Sequence, residues 1–125
     1  MSRRILVIED HEENRRILRL LLASAGYEVI EAVTGEEGVT SAETRRPDLI
    51  LMDIQLPGLD GYEATRRIKA NPALHQIPII VVTSYALSGD DAKALAAGCT
   101  DYVTKPFSPR QLLAKVRDHI GPAGP

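Results

Sequence analysis

The chain has 125 residues, 44% of them hydrophobic and 26% charged, and 15 Lys and Arg stand against 17 Asp and Glu for a net charge of −2. That length fits one domain burying about two thirds of its unfolded surface, so neither a metal nor a disulfide is needed to hold it together. The near-neutral balance leaves no basic field for direct nucleic-acid binding, and no apolar run approaches the about 20 residues that a membrane-spanning helix requires.

The single cysteine excludes an internal disulfide framework and makes a reducing cytoplasm the expected setting. The first apolar stretch, Ile5–Ile8, runs straight into Glu9 and Asp10, which a signal peptide would not do.

In chain order, Arg4–Ile8 reads as a first strand: a continuous apolar run of the kind that parallel strands covered on both faces require. Asp10 with Glu13 then has the spacing of a capping box. The helix that follows offers Ile17, Leu18, Leu20, Leu21 and Leu22 as a broad apolar face, with Arg15, Arg16 and Arg19 turned to water. Gly26 stands where a left-handed terminating residue is wanted.

Tyr27–Ala32 is a mixed run suited to a strand nearer an edge, and Thr34 with Glu37 caps a second helix. Leu49–Met52 is a third strand, and Asp60 with Glu63 opens a third helix. Ile77–Val82 is a fourth strand, Ser88 with Asp91 a fourth cap, and Gly98 a second terminator. Thr100–Val103 makes a short fifth strand. Ser108 with Gln111, and Pro109 at the first helical position, start a last helix whose apolar face is Leu112, Leu113, Val116 and Ile120.

Five strand–helix units predict an α/β fold, a doubly wound five-stranded parallel sheet with helices on both faces. Residues 1–120 form the expected free-standing domain. Residues 121–125, Gly-Pro-Ala-Gly-Pro, cannot continue a helix and make a short disordered tail.

In such a sheet ligands bind beyond the carboxyl ends of the strands. There the sequence places Glu9 and Asp10 after the first strand, Asp53 after the third, Thr83 and Ser84 at the fourth, and Lys105 and Pro106 after the fifth. Taken singly, Asp10 could merely cap a helix, Glu9 could face solvent, Thr83 could be packing and Lys105 a solvated loop residue. Asp53 is harder to dismiss, because a charge after a buried central strand is costly unless it is paired, protonated or metal-bound.

Three converging carboxylates repel one another, and a hard divalent cation relieves this. Oxygen donors with no His or Cys beside them suit Mg²⁺. With Lys105 added, the edge becomes a pocket for a dianion, as phosphoryl transfer needs, and Asp53 is the candidate nucleophile for an acyl phosphate. Cys99 reads as a small packing residue, and His11, His75 and His119 as surface residues without metal-binding partners.

Ile8-Glu9-Asp10, Leu51–Pro57, Asp60-Gly61, Val82-Thr83-Ser84 and Tyr102–Phe107 together resemble the receiver domain of two-component response regulators. The resemblance is to single-domain, CheY-like regulators of flavodoxin-like fold. Met52–Pro57 is similar to DivK-like proteins and to hybrid-kinase receivers. It implies that Asp53 accepts a phosphoryl group from a sensor histidine kinase or a histidine phosphotransfer protein. Mg²⁺ would be held by Asp10 directly, by Glu9 through water, by Asp53 and by the backbone carbonyl of Gln55. Lys105 would contact the phosphoryl oxygens. Thr83 would swing onto them while Tyr102 turns inward, altering a face for a downstream target protein.

The same resemblance implies a cis Lys105–Pro106 bond, a monomer or weak dimer, and no membrane or nucleic-acid partner. The chain would catalyse only its own phosphorylation and autodephosphorylation, without being an enzyme on a separate substrate. Gln55, Tyr85 and Ser84 stand at positions that vary in the family, which leaves the phosphoryl lifetime open.

Two rivals fail at these positions. A haloacid-dehalogenase-type phosphatase wants a second Asp two residues after the nucleophile, where Gln55 stands, and the acidic loop after the first strand would repel a flavin phosphate. A receiver fold used only as an unphosphorylated docking module remains the alternative reading.

Overall fold

The computed structural model describes residues 3–83 and 90–122, the side chains of residues 90 and 91 excepted. In chain order the elements are β1 (Arg4–Ile8), α1 (Glu12–Ser24), β2 (Glu28–Ala32), α2 (Gly35–Arg45), β3 (Leu49–Asp53), α3 (Gly61–Ala70), β4 (Ile79–Thr83), α4 (Asp90–Ala97), β5 (Asp101–Thr104) and α5 (Pro109–Ile120). The five strands form one parallel sheet in the order β2-β1-β3-β4-β5. The strand order reverses between β1 and β3, the place where an open α/β sheet leaves a crevice at its carboxyl edge.

Alternation along the strands divides the core into two layers. Leu6, Ile8, Ile50, Met52, Ile79 and Val81 pack on one face with Ala42, Ala64, Ile68 and Ala94, from α2, α3 and α4. Ile5, Val7, Leu49, Leu51 and Ile80 pack on the other with Leu18, Leu22, Leu112 and Val116, from α1 and α5. Both faces of β3 are therefore covered, which accounts for its unbroken apolar run and leaves its last residue, Asp53, buried.

Strand boundaries differ from expectation by a residue or two, and the difference matters at β3 and β4. Both strands end one residue later than expected, and β4 also begins two later, so Asp53 and Thr83 are strand residues held by the sheet ladder. Thr34, Asp60 and Ser108 accept the backbone N–H three residues on, as expected. Gly26 and Gly98 take positive φ, 95° and 102°, after α1 and α4. The Ser88 cap lies outside the described residues.

Two expectations for α1 are overturned. The residue capping it is His11, which makes no side-chain cap bond, while the Asp10 carboxylate turns to the sheet edge. The apolar face is also narrower than Ile17–Leu22 suggested. Leu18 and Leu22, one turn apart, are buried, whereas Ile17 and Leu20 are each 55% exposed, because a helix turns through about 100° per residue. Arg15 does not face water, and Arg19 does so only in part: both reach across to Glu31 on β2.

After α5, Tyr27 donates from its hydroxyl to the Gly121 carbonyl at 2.9 Å. The start of the expected tail is thereby tied to the domain, and residues 123–125 lie outside the described region.

Candidate functional site

Glu9, Asp10, Asp53, Thr83 and Lys105 come together at the carboxyl edge, as the positions of the strands dictate. Glu9 is 1% exposed and Asp53 6%. Lys105 Nζ donates to Glu9 Oε1 at 3.1 Å and lies 3.8 Å from Asp53 Oδ1. The Gln55 N–H reaches Asp53 Oδ1 at 3.4 Å. Thr83 is buried beside Lys105, whose N–H donates to the Thr83 carbonyl at 2.6 Å, and the Lys105–Pro106 peptide is cis. Tyr102 is 38% exposed, with its ring at the surface of β5. Ser84 and Tyr85 lie outside the described residues.

Gly61 permits this arrangement. A Cβ on it would run into the Asp53 carbonyl oxygen, so α3 can begin directly against the end of β3 only with glycine there.

The charges are unequal in their surroundings. Burial pushes the Asp53 carboxyl up to about 6, and the neighbouring Glu9 carboxylate adds to the rise despite Lys105. Burial acts on Glu9 in the same sense. There, however, the His11 N–H bond at 3.1 Å and the Lys105 ammonium outweigh it and hold the group below the usual carboxylate range. Glu9 is thus the settled anion of the pair and Asp53 the poised one. A raised carboxyl that is still ionised at neutral pH is a stronger nucleophile than an ordinary aspartate.

The donor set fits a divalent cation. Asp10 Oδ1 is buried and, among the described residues, accepts no hydrogen bond. Ligand atoms of Glu9, Asp10, His11 and Asp53 all lie within 4.8 Å of one another. His11 corrects the expectation of an oxygen-only site with no imidazole nearby: its Nδ1 is 3.2 Å from Asp10 Oδ1 and 3.4 Å from Glu9 Oε2. The signal was its place in the chain, directly after the two acids. His119 is likewise partnered, lying 3.2 Å from Asp101 at the start of β5, while His75 stays exposed.

Arg15 was also missed. Its guanidinium donates from one nitrogen to the Glu9 carbonyl at 3.1 Å and from Nε to Glu31 at 3.1 Å. Nothing short-range marks this contact, because Glu31 is 16 residues away and is brought alongside only by the pairing of β1 with β2.

Residues 5–117 match the family model described as the response regulator receiver domain. The chain belongs to that family. Among curated proteins this receiver is 38% identical over 123 residues to the polar-differentiation response regulator DivK of Brucella anthropi, covering 98% of this chain and all of that one. Among solved structures, it superposes on the receiver domain of the sensor histidine kinase PA1611 from Pseudomonas aeruginosa PAO1 with a TM-score of 0.90 and 42% identity. That match covers 97% and 99% of the two chains, and the structure is described with a magnesium ion coordinated in its active site cleft.

The chemotaxis protein CheY4 of Vibrio cholerae gives a TM-score of 0.90 at 27% identity, covering 95% and 99%. The CheY-like fold and the kinship to DivK-type receivers are thereby established. Among the described residues of this receiver, no helix is long and apolar enough to cross a membrane.

Proposed function

We propose that this receiver is a phospho-accepting signalling switch in which Asp53 takes a phosphoryl group from a histidine kinase or a histidine phosphotransfer protein. The observation that carries the reading is the burial of Asp53 against Lys105 and Glu9, with a buried Asp10 oxygen that accepts no hydrogen bond alongside. An Asp53 carboxylate oxygen attacks phosphorus, the bond from phosphorus to the donor imidazole breaks, and the leaving nitrogen keeps the electron pair. Lys105 draws charge from the phosphoryl oxygens as it develops, at a site largely withdrawn from water.

Asp10, Asp53 and the Gln55 carbonyl, with Glu9 through water, would hold Mg²⁺, which would supply the remaining charge neutralisation. Thr83, buried at the end of β4, would meet the phosphoryl group, and Tyr102 would be the partner whose burial changes with it. The two couple about two added negative charges to a population shift on a protein-binding surface. The chain acts on no separate substrate and catalyses only its own phosphorylation and hydrolysis.

The experiment is labelling with acetyl phosphate and Mg²⁺, read on phosphate-affinity gels because the chain has no tryptophan to report binding. The parent is expected to shift, while Asp53→Asn and the parent in chelator are not. Equal labelling of the asparagine variant would overturn the assignment.

A further inference from the structure

The imidazole of His11 is not used by the reading above, yet it overhangs the same acids. We propose that His11 Nδ1 is a ligand of the metal site, giving it a mixed nitrogen–oxygen donor set that binds borderline divalent ions of the Zn²⁺ class more tightly than an all-oxygen site would. The inference rests on the reading that a divalent cation sits among Glu9, Asp10 and Asp53.

Three observations carry it. First, position is secured by the backbone: His11 caps α1 in an extended conformation, and its N–H is anchored on Glu9 Oε2 at 3.1 Å, so the side chain leaves the chain beside the acids. Second, Nδ1 and Asp10 Oδ1 lie 3.2 Å apart, yet that oxygen accepts no hydrogen bond among the described residues. With the ring neutral and its proton on Nε2, Nδ1 and Asp10 Oδ1 present two lone pairs to the same space, which a cation can share.

Third, the spacing suits zinc. Ligands held about 2.1 Å from a tetrahedral Zn²⁺ stand about 3.4 Å from one another, whereas adjacent ligands of octahedral Mg²⁺ stand about 2.9 Å apart. The 3.4 Å from His11 Nδ1 to Glu9 Oε2 equals the tetrahedral separation, and the 3.2 Å to Asp10 Oδ1 lies between the two.

Ligation through Nδ1 requires the neutral ring with its proton on Nε2, and imidazole is a donor that Zn²⁺ accepts readily and Mg²⁺ does not. His11 is 68% exposed on its side chain, so an ion can reach it from solvent. His11→Asn tests the proposal without threatening the fold, since His11 makes no side-chain cap bond and asparagine is a favoured capping residue.

The experiment titrates the full chain with ZnCl₂ or MgCl₂, reading affinity by calorimetry and the ring nitrogens by ¹⁵N NMR of histidine-labelled protein, where three histidines keep the spectrum assignable. Zn²⁺ is expected to move the His11 Nδ1 resonance to a metal-bound position. His11→Asn is expected to weaken Zn²⁺ at least about tenfold while changing Mg²⁺ less than about twofold. An unmoved His11 nitrogen, Zn²⁺ shifts only at His75 or His119, or an unchanged Zn²⁺-to-Mg²⁺ ratio in the variant would overturn the proposal. Failure of the underlying reading looks different: Asp10→Asn and Asp53→Asn would then leave the affinity for both ions unchanged.

Discussion

Lys105 Nζ lies 3.1 Å from Glu9 Oε1, although 96 residues separate the two in the chain. The bond joins the end of β5 to the end of β1, strands at positions five and two of the sheet, across the mouth of the crevice in which Asp53 ends β3. It makes Lys105 the resident counter-charge for two carboxylates at once, since Asp53 Oδ1 is 3.8 Å away.

Lys105→Met keeps the apolar stem and removes the ammonium. Phosphorylation of Asp53 by acetyl phosphate in saturating Mg²⁺ is expected to slow about 100-fold or more, the usual cost of losing one preorganised electrostatic contact to a developing anion. Single-turnover labelling kinetics measure it, and an unchanged rate would remove Lys105 from the site.

Asp53→Asn is expected to stabilise the metal-free chain. Because burial and Glu9 raise the folded Asp53 carboxyl to about 6 from the ordinary 3.8, the folded state holds a proton that the unfolded state has released between those values. Parent stability therefore declines as pH rises through this window, and the asparagine variant escapes the decline. In chelator at pH 7 the gain is expected to be no more than about 3 kcal/mol, and it should shrink as pH falls from about 6 toward 4. Mg²⁺ should stabilise the parent more than the variant. Thermal melts across this range, with and without Mg²⁺, provide the measurement.

Arg15 acts on the acids through the backbone. Its bond to the Glu9 carbonyl, braced by Glu31, holds the loop that carries Glu9 and Asp10. Arg15→Ala is expected to weaken Mg²⁺ binding about tenfold, the scale of losing a group that orients metal ligands. Arg19→Ala removes another contact to Glu31 but none to that carbonyl, and should leave Mg²⁺ affinity unchanged. Equal effects of the two in calorimetry would reduce Arg15 to a structural residue.

Asp101 ties the start of β5 to α5 through Lys115 at 3.0 Å and His119 at 3.2 Å. Burial alone would raise its carboxyl, but Lys115, the Tyr102 N–H and His119 outweigh that and hold it below the ordinary value. A depressed folded value contributes stability that is present above the unfolded one and fades as pH falls through the folded one. Asp101→Asn is thus expected to cost about 1 kcal/mol or less at pH 7, and nothing once pH has fallen below the depressed folded value, where the parent carboxylate is protonated too. Denaturant titrations at both ends of that range check the sign.

The chain's own pattern determined the fold class, the strand-end positions of Glu9, Asp10, Asp53, Thr83 and Lys105, and three helix caps. Each of these depends on local spacing: apolar runs long enough for buried strands, and a capping residue three positions before its partner. Tertiary structure decided the rest. That Asp10 faces the pocket instead of capping α1, that His11 overhangs the acids, and that Arg15 braces Glu9 through Glu31 all follow from β2 pairing with β1 and from the direction in which the chain leaves β1.

Composition announced a near-neutral protein; only the sheet edge shows that its charge is gathered, with one carboxylate settled by Lys105 and another held in reserve by burial. Periodicity reports which way a residue points relative to its own helix or strand. What it meets there depends on partners tens of residues away, and a linear pattern carries no distance between them.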